Sequence, residues 1–379
     1  MANPHRPSPT RTNQTKAETM TRKRNTNKLQ EVAKQDRTTW RKFAPKLAHV
    51  IATTDTGDER ARADARRLHR EFSIANGGGA TPTQITAGTE VAKTSHNPTD
   101  AGAMVRAALG VALIVQSITY MASARRSGII NACPWSTALC RLACLGHTSG
   151  RMIHDPQQLA QVIRTRFMIM HTRAWWLVVT GEARLHATKA QNRGGAWLYR
   201  PNGATEFPLD QVPGYADGIR NMAPDPARVF FQDYAKRPAE EIAKNLTPDI
   251  WHLAPSASER TQTAEQYRPY MAVAVDIAPR NGNTPPEPLP RYYMGRPVID
   301  GDATSTDPDR PLGHGDMRLL DPITHPVTDP ALAPLVLLRA KGSVAQDQPV
   351  GHDRFVKPAR HLVPALVAAD AAALEVAAG

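Results

Sequence analysis

Residues 173–200 read RAWWLVVTGEARLHATKAQNRGGAWLYR. The stretch opens with a helical pattern over residues 173–190. Gly194-Gly195 then ends it, because glycine readily takes the backbone conformation that closes a helix. Ala196–Arg200 follows as a short apolar run without alternation, the pattern of a strand covered on both faces. A helix feeding a doubly buried strand is the repeating unit of an α/β fold.

Reading outward repeats the pattern. Upstream, Asp155-Pro156 opens another helix, with Asp at the cap and Pro in the first turn. Its apolar positions are Leu159, Val162, Ile163, Phe167 and Met170. Downstream come short apolar runs at Val229–Gln232, Ile250–Ala254, Met271–Val275, Pro297–Ile299 and Leu335–Arg339, with helical material at Ala239–Lys244. The expected fold is α/β: a partial or irregular (β/α) barrel-like core with a helical, partly disordered basic N-terminal extension. With 379 residues, 41% of them hydrophobic, the chain can bury one large core or two modest ones.

The flanks read differently. Residues 1–28 are polar, basic and poor in large apolar groups, the composition of a disordered segment. Residues 29–73 carry helical spacing at Leu29, Val32, Trp40, Phe43 and Leu47, and Asn76–Gly79 interrupts it. Residues 80–100 read as a linker rich in Thr, Ser, Gly and Pro. Residues 101–124, AGAMVRAALGVALIVQSITYMASA, read as a buried or amphipathic helix. Arg106, Gln116, Ser117 and Thr119 break its apolar run below the roughly 20 residues that a membrane span needs, so no membrane is expected. Residues 279–296 and 304–330 are Pro-rich loops, and 363–377 is an Ala-rich helix. The organisation is therefore a basic arm (1–45), a helical and linker extension (46–125), a cysteine-loop core (126–356) and a terminal helix (357–379).

The net charge of +12 is concentrated at one end. Residues 1–70 hold 17 Lys and Arg against 7 Asp and Glu, whereas the rest holds 30 against 28. Such an arm is attracted to nucleic-acid phosphates without sequence preference; a merely solvated tail is the alternative. The start MANPHRPSPTRTNQTK lacks the apolar stretch of a secretory signal. An odd number of cysteines does not suggest a secreted disulfide framework. A cytoplasmic location is expected.

All three cysteines of the chain, Cys133, Cys140 and Cys144, lie within twelve residues, spaced Cys-x6-Cys-x3-Cys with His147 shortly after. Soft thiolates select zinc, copper(I) or iron–sulfur clusters. Two metal readings follow. Three thiolates can hold three irons of a [4Fe–4S] cluster and leave one iron open for S-adenosylmethionine. Alternatively, His147 completes a tetrahedral Cys3His zinc site. Buried free thiols are the third possibility.

Other polar groups sit at the ends of the apolar runs. Asp300 and Asp302 follow Pro297–Ile299, where carboxylates of barrel strands often reach a site; a simple Asp-Gly turn is the alternative. Asp233 and Lys236 end another run, as an ion pair or as substrate contacts. Arg200 and Asn202 could meet a phosphate or carboxylate, and His252 reads as a hydrogen-bonded core residue. There is no phosphate-cradling Gly-rich loop.

The ordered series of these segments resembles an uncharacterised family of bacteriophage and mobile-element proteins, gene-product-eighty-eight-like. It consists of Cys133-Pro134-Trp135 with two further cysteines, Arg200-Pro201-Asn202, Phe231-Gln232-Asp233-Tyr234-Ala235-Lys236, and His252-Leu253 with Ser256. Val298-Ile299-Asp300-Gly301-Asp302, Asp316-Met317-Arg318 and Leu338-Arg339-Ala340-Lys341-Gly342 complete it. The resemblance covers roughly residues 128–356. Ala204-Thr205-Glu206, Ala235 and Ala254-Pro255 depart from its pattern. That family is in turn distantly similar to radical S-adenosylmethionine proteins, although the cysteine spacing differs from theirs. The resemblance implies an iron–sulfur enzyme acting on a nucleotide or nucleic acid, with Asp233, Lys236, Asp300, Asp302, Asp316 and Arg318 on the substrate side and Arg200, Asn202 and Ser256 contacting substrate. A zinc-stabilised nucleic-acid-binding protein without catalysis is the competing expectation. Thr180-Gly181-Glu182 is similar to the Gly-Gly-Glu element of the radical proteins, but it falls inside a helical pattern.

Overall fold

The computed structural model describes residues 40–90, 109–142, 144, 146, 153–276, 289–290, 292–300, 334–339, 357 and 359. The arm of residues 1–39, His147, Asp302, Asp316, Arg318, the loop 304–330 and the Ala-rich end 363–377 lie outside the described residues.

The centre is a five-stranded sheet in the order β1 (Thr86–Glu90), β2 (Ile114–Ile118), β3 (Ala196–Arg200), β4 (Val229–Ala235) and β5 (Trp251–Pro255). β1 is an antiparallel edge strand, and β2 to β5 run parallel. A second sheet has the order β6 (Ala272–Val275), β9 (Leu335–Arg339), β8 (Arg296–Asp300) and β7 (Tyr292–Tyr293), parallel except for the β7–β8 hairpin. A parallel bridge between Ser256 and Ala272 joins the sheets. Among the described residues the strands form no closed barrel; the fold is mixed α/β with a parallel run of four strands, as expected.

Helices cover one face. Residues 40–53 form α1, followed by α2 (Glu59–Ala75), α3 (Ala138–Leu142), α4 (Asp155–Met170), α5 (Thr172–Gln191), α6 (Tyr215–Arg220) and α7 (Ala239–Ile242). Asp58 caps α2 by accepting the Ala61 N–H at 3.0 Å. α5 packs against α2, α4 and α6 and against β2 and β3, so it is buried nearly all round: Trp175, Trp176, Val178 and Val179 are each at most 2% exposed. Its rings meet a stack on the sheet, with Trp197 on Tyr199 at 5.1 Å and Phe231 on Trp251 at 4.8 Å. Each such aromatic removes roughly 150–250 Å² from water. Trp40, Phe43, Leu47, Ala65 and Ile85 belong to this same core, so the described part of residues 46–125 shares it with the strands.

Two sequence expectations are corrected. Residues 114–118, expected inside a helix over 101–124, form β2. The Ala-rich surroundings mimic a helix, but IVQSI pairs with strands on both sides and is buried on both faces, which hides any alternation. Residues 86–90, expected in a linker, form the edge strand β1. Within the expected loop 279–296, Tyr292–Tyr293 is a short strand. α4 begins at Asp155 as expected, although its cap residue is His154. Among the described residues no helix is long and apolar enough to cross a membrane.

Candidate metal centre

The three cysteines lie on the chain that leaves the C-terminal end of β2, the first parallel strand. In open parallel sheets this rim is where ligands collect. The leaving segment is pinned to its neighbours. The Thr119 N–H donates to the Arg200 carbonyl at 3.0 Å, and the Gly203 N–H returns to the Thr119 carbonyl at 3.0 Å. A Cβ at Gly203 would collide with Ile118, so the β3 loop approaches β2 this closely only because the residue is glycine. Further on, the Ala132 N–H donates to the Ala124 carbonyl at 2.7 Å, and the Glu206 N–H donates to the Ala132 carbonyl at 2.7 Å. The cysteine loop is thereby laced to residues 202–207.

The thiols face one neighbourhood. Cys133 Sγ accepts the Ala124 N–H at 3.3 Å and stands 3.9 Å from the Ala204 carbonyl. A Cβ at Gly146 would lie 2.7 Å from Ala204 Cβ, 3.4 Å from Cys144 Sγ and 3.5 Å from Ser123 Cβ, so Cys144 borders the same loop. Cys140 is set by α3, whose first turn is held when the Cys140 N–H donates to Thr137 Oγ1 at 3.2 Å. Thr137 in turn donates to Glu259 beyond β5 at 2.6 Å. None of the three is in a disulfide. Burial, followed by the nearby Cys144, pushes the Cys133 thiol well up. Burial also raises Cys140, opposed by the Lys236 cation. Thiols raised in this way ionise when a cation or cluster binds them. Cys133 and Cys144 both border the close contact between Gly146 and Ala204, and thiolates are the donors that a sulfur-ligated group would need. Among the described residues, however, no set of three His, Cys, Asp or Glu donors is gathered closely enough to hold a single metal ion.

Buried charge surrounds the thiols. Glu206 accepts the Lys236 N–H. Burial pushes its carboxyl up to about 7, against the pull of Arg237 and Lys236. Asp210 and Arg237 form a two-pronged ion pair at 2.7 and 3.1 Å, with side chains 0% and 2% exposed. Arg237 also lies 5.7 Å over the ring of Trp135 from the cysteine loop. The ion pair therefore supports the loop from below.

The expected site residues separate into groups. Asp233 is buried and accepts the Asn202 N–H at 2.9 Å and its amide at 3.1 Å. Burial raises it to about 7, opposed by Arg200. Both residues shape the β3 loop, and Thr205 donates to Asn202 as well, at 2.9 Å. Lys236 donates to the Ala257 carbonyl at 3.3 Å and lies near Cys140. Arg200 lies 4.7 Å over the Tyr234 ring. Ser256 sits at the joint between the sheets, where its N–H donates to the Ala235 carbonyl at 2.7 Å. Asp300 ends β8, and its side chain is outside the described residues. Glu182 of the Thr-Gly-Glu segment is inside α5 and accepts the Gln84 and Ile85 N–H groups at 2.9 and 2.6 Å, so it anchors the approach to β1.

Sequence reasoning missed Glu206 and Thr137 as neighbours of the thiols, and the Asp210–Arg237 pair beneath Trp135 of their loop. The one local signal was Glu206, which stands where the resemblance expects a Thr/Ser-Asp pair.

The profile of one family, described as gene product 88, matches residues 87–319, more than half of the chain. The chain belongs to the gene product 88 family. The matched span takes in β2 to β6, the cysteine loop and the buried charges of the rim, all within one family's territory. α1, α2 and β9 fall outside it although they pack on the same sheets. No curated protein and no solved structure matches the chain.

Proposed function

We propose that this gene product 88 protein is an iron–sulfur enzyme of the radical S-adenosylmethionine type, acting on a nucleotide or nucleic acid. The observation that supports it most is that three thiols influence one another's ionisation on the loop leaving the first parallel strand, at the C-terminal rim of the sheet. A cluster binds each thiolate through a different iron, so it needs a wider spread of sulfurs than one zinc ion does.

Such a cluster, when bound, would supply the electron that cleaves S-adenosylmethionine reductively. The chain's own groups do the rest. Cys133, Cys140 and Cys144 would hold it as thiolates, and Lys236 favours ionisation of Cys140. Glu206, held near 7 beside the thiols, can keep or release a proton at neutral pH. The Asp210–Arg237 pair and Trp135 hold the loop in place. Asp300, Asp302, Asp316 and Arg318 are assigned to the substrate side on the family resemblance, and the basic arm to phosphate contacts.

Anaerobic purification tests this. The expected protein is brown, carries about four irons per chain and forms 5′-deoxyadenosine from S-adenosylmethionine under reduction; Cys140→Ser loses the iron. A colourless protein with about one zinc would instead favour the zinc-stabilised nucleic-acid binder. Deleting residues 1–45 should weaken nucleic-acid binding and flatten its salt dependence. An unchanged affinity and slope remove the arm from the reading.

A further inference from the structure

The face of the five-stranded sheet that points away from the helices changes character along its strands. Its lower half is apolar: Val111, Ile114, Ala196, Leu198 and Phe230 form one cluster. Above Phe230 the same face presents Gln232, which pairs across the ladder with His252 of β5. Arg200 of β3 follows Tyr199, the partner of Phe231, so it stands beside Gln232 on this face.

Gln232 is 0% exposed, and neither its amide nitrogen nor its amide oxygen meets a partner. Nε2 of His252 is also shielded and unpartnered. An isolated buried amide is costly. The helix-covered face leaves the indole N–H groups of Trp175, Trp176 and Trp251 unmatched too. Each of those rings brings a large apolar area to the core, whereas Gln232 brings two polar atoms and little else. Aromatic surface surrounds the pair. Tyr270 meets His252 edge-on at 6.0 Å, Phe230 precedes Gln232 by one step on the face, and Tyr234 follows it under the Arg200 cation.

We propose that Gln232 and His252 read the edge of a nucleobase on the inner face of the sheet. An amide offers a donor and an acceptor side by side, the complement of the adjacent acceptor and donor on a base edge. The imidazole adds a third contact, the rings supply stacking surface, and Arg200 supplies a cation for the attached phosphate. Burial lowers His252 to about 4, so the imidazole is neutral at physiological pH and suits an uncharged base. This deepens the functional reading by naming a substrate class, but base binding itself does not depend on the cluster.

The test is equilibrium dialysis of the full-length protein with adenosine, guanosine, cytidine and uridine and their 5′-monophosphates, for wild type, Gln232→Leu and His252→Phe. The expected wild type binds at least one base, and Gln232→Leu weakens it tenfold or more while melting at the same or a higher temperature. The monophosphate should bind more tightly than its nucleoside, and that gain should disappear in Arg200→Ala. If no nucleoside or nucleotide binds wild type, or if Gln232→Leu binds as well as wild type, the proposal fails. Iron content is measured on the same samples. Base binding without iron overturns the cluster reading alone, and iron without base binding overturns this inference alone.

Discussion

The two faces of the parallel sheet, together with its rim, spend their polar groups in opposite ways. The helix-covered face is aromatic and dense: Trp197 donates to Ser117 at 2.9 Å and Thr119 bonds Tyr199 at 2.7 Å, while the indole N–H groups of Trp175, Trp176 and Trp251 stay unmatched beneath large apolar rings. The rim buries Glu206, Asp210, Asp233 and Arg237, of which Glu206 and Arg237 meet the cysteine loop at Ala132 and Trp135. The inner face buries an unmatched amide. Stability resides on the first surface, and the others hold groups that work against it. Proteins keep such groups where chemistry or recognition needs them.

Four measurements sharpen or break that contrast. The largest effect is expected on the helix-covered face. Trp197→Ala removes a fully buried ring stacked on Tyr199 and should cost about 3–5 kcal/mol by urea unfolding. A loss under about 1 kcal/mol would mean that the core does not depend on this stack. Next, Asp210→Ala leaves the Arg237 charge buried without its partner and should cost roughly 3 kcal/mol. It should also loosen the cysteine loop through Trp135, seen as faster reaction of the thiols with a soluble disulfide.

The third concerns pH. The Glu206 carboxyl rises from 4.5 to about 7 on folding, so it holds its proton more tightly folded than unfolded. Its contribution to stability is complete below about 4.5 and fades as pH climbs toward 7. Glu206→Gln keeps an acceptor for the Lys236 N–H and removes the titration. Its stability should decline less than that of wild type between these values, by on the order of 1–3 kcal/mol. Parallel pH curves for the two proteins would show that this carboxyl is not perturbed. Asp233 rises in the same direction, so some decline should persist in the variant. The smallest effect is expected at Thr137→Ala, which removes the acceptor for the Cys140 N–H and the bond to Glu259. It should cost about 1 kcal/mol and raise Cys140 reactivity more than that of Cys133.

Much of the architecture was legible because it is local. The helices at 155–170 and 172–191 announce themselves by period, by Pro156 in the first turn of one and by Gly194-Gly195 after the other, and β9 by its apolar run. β2 was not legible. Five residues of strand inside an Ala-rich stretch carry no helix-breaking signal, and only pairing with β1 and β3 reveals them. β1 was hidden for a related reason. Thr-Ala-Gly-Thr-Glu is weakly strand-like alone and gains its form from an edge that β2 leaves open.

The sequence by itself determined that three thiols share one short loop, that helices alternate with doubly buried strands and that the positive charge lies at one end. These properties follow from spacing and composition, which survive in an unfolded chain. The tertiary structure alone decided that the thiols meet Glu206 and Lys236, that Arg237 is held by Asp210 under Trp135, and that Gln232 and His252 stand side by side. Such neighbours come from strands and loops dozens of residues apart, and nothing in the local sequence encodes a distance that exists only once parallel strands have paired.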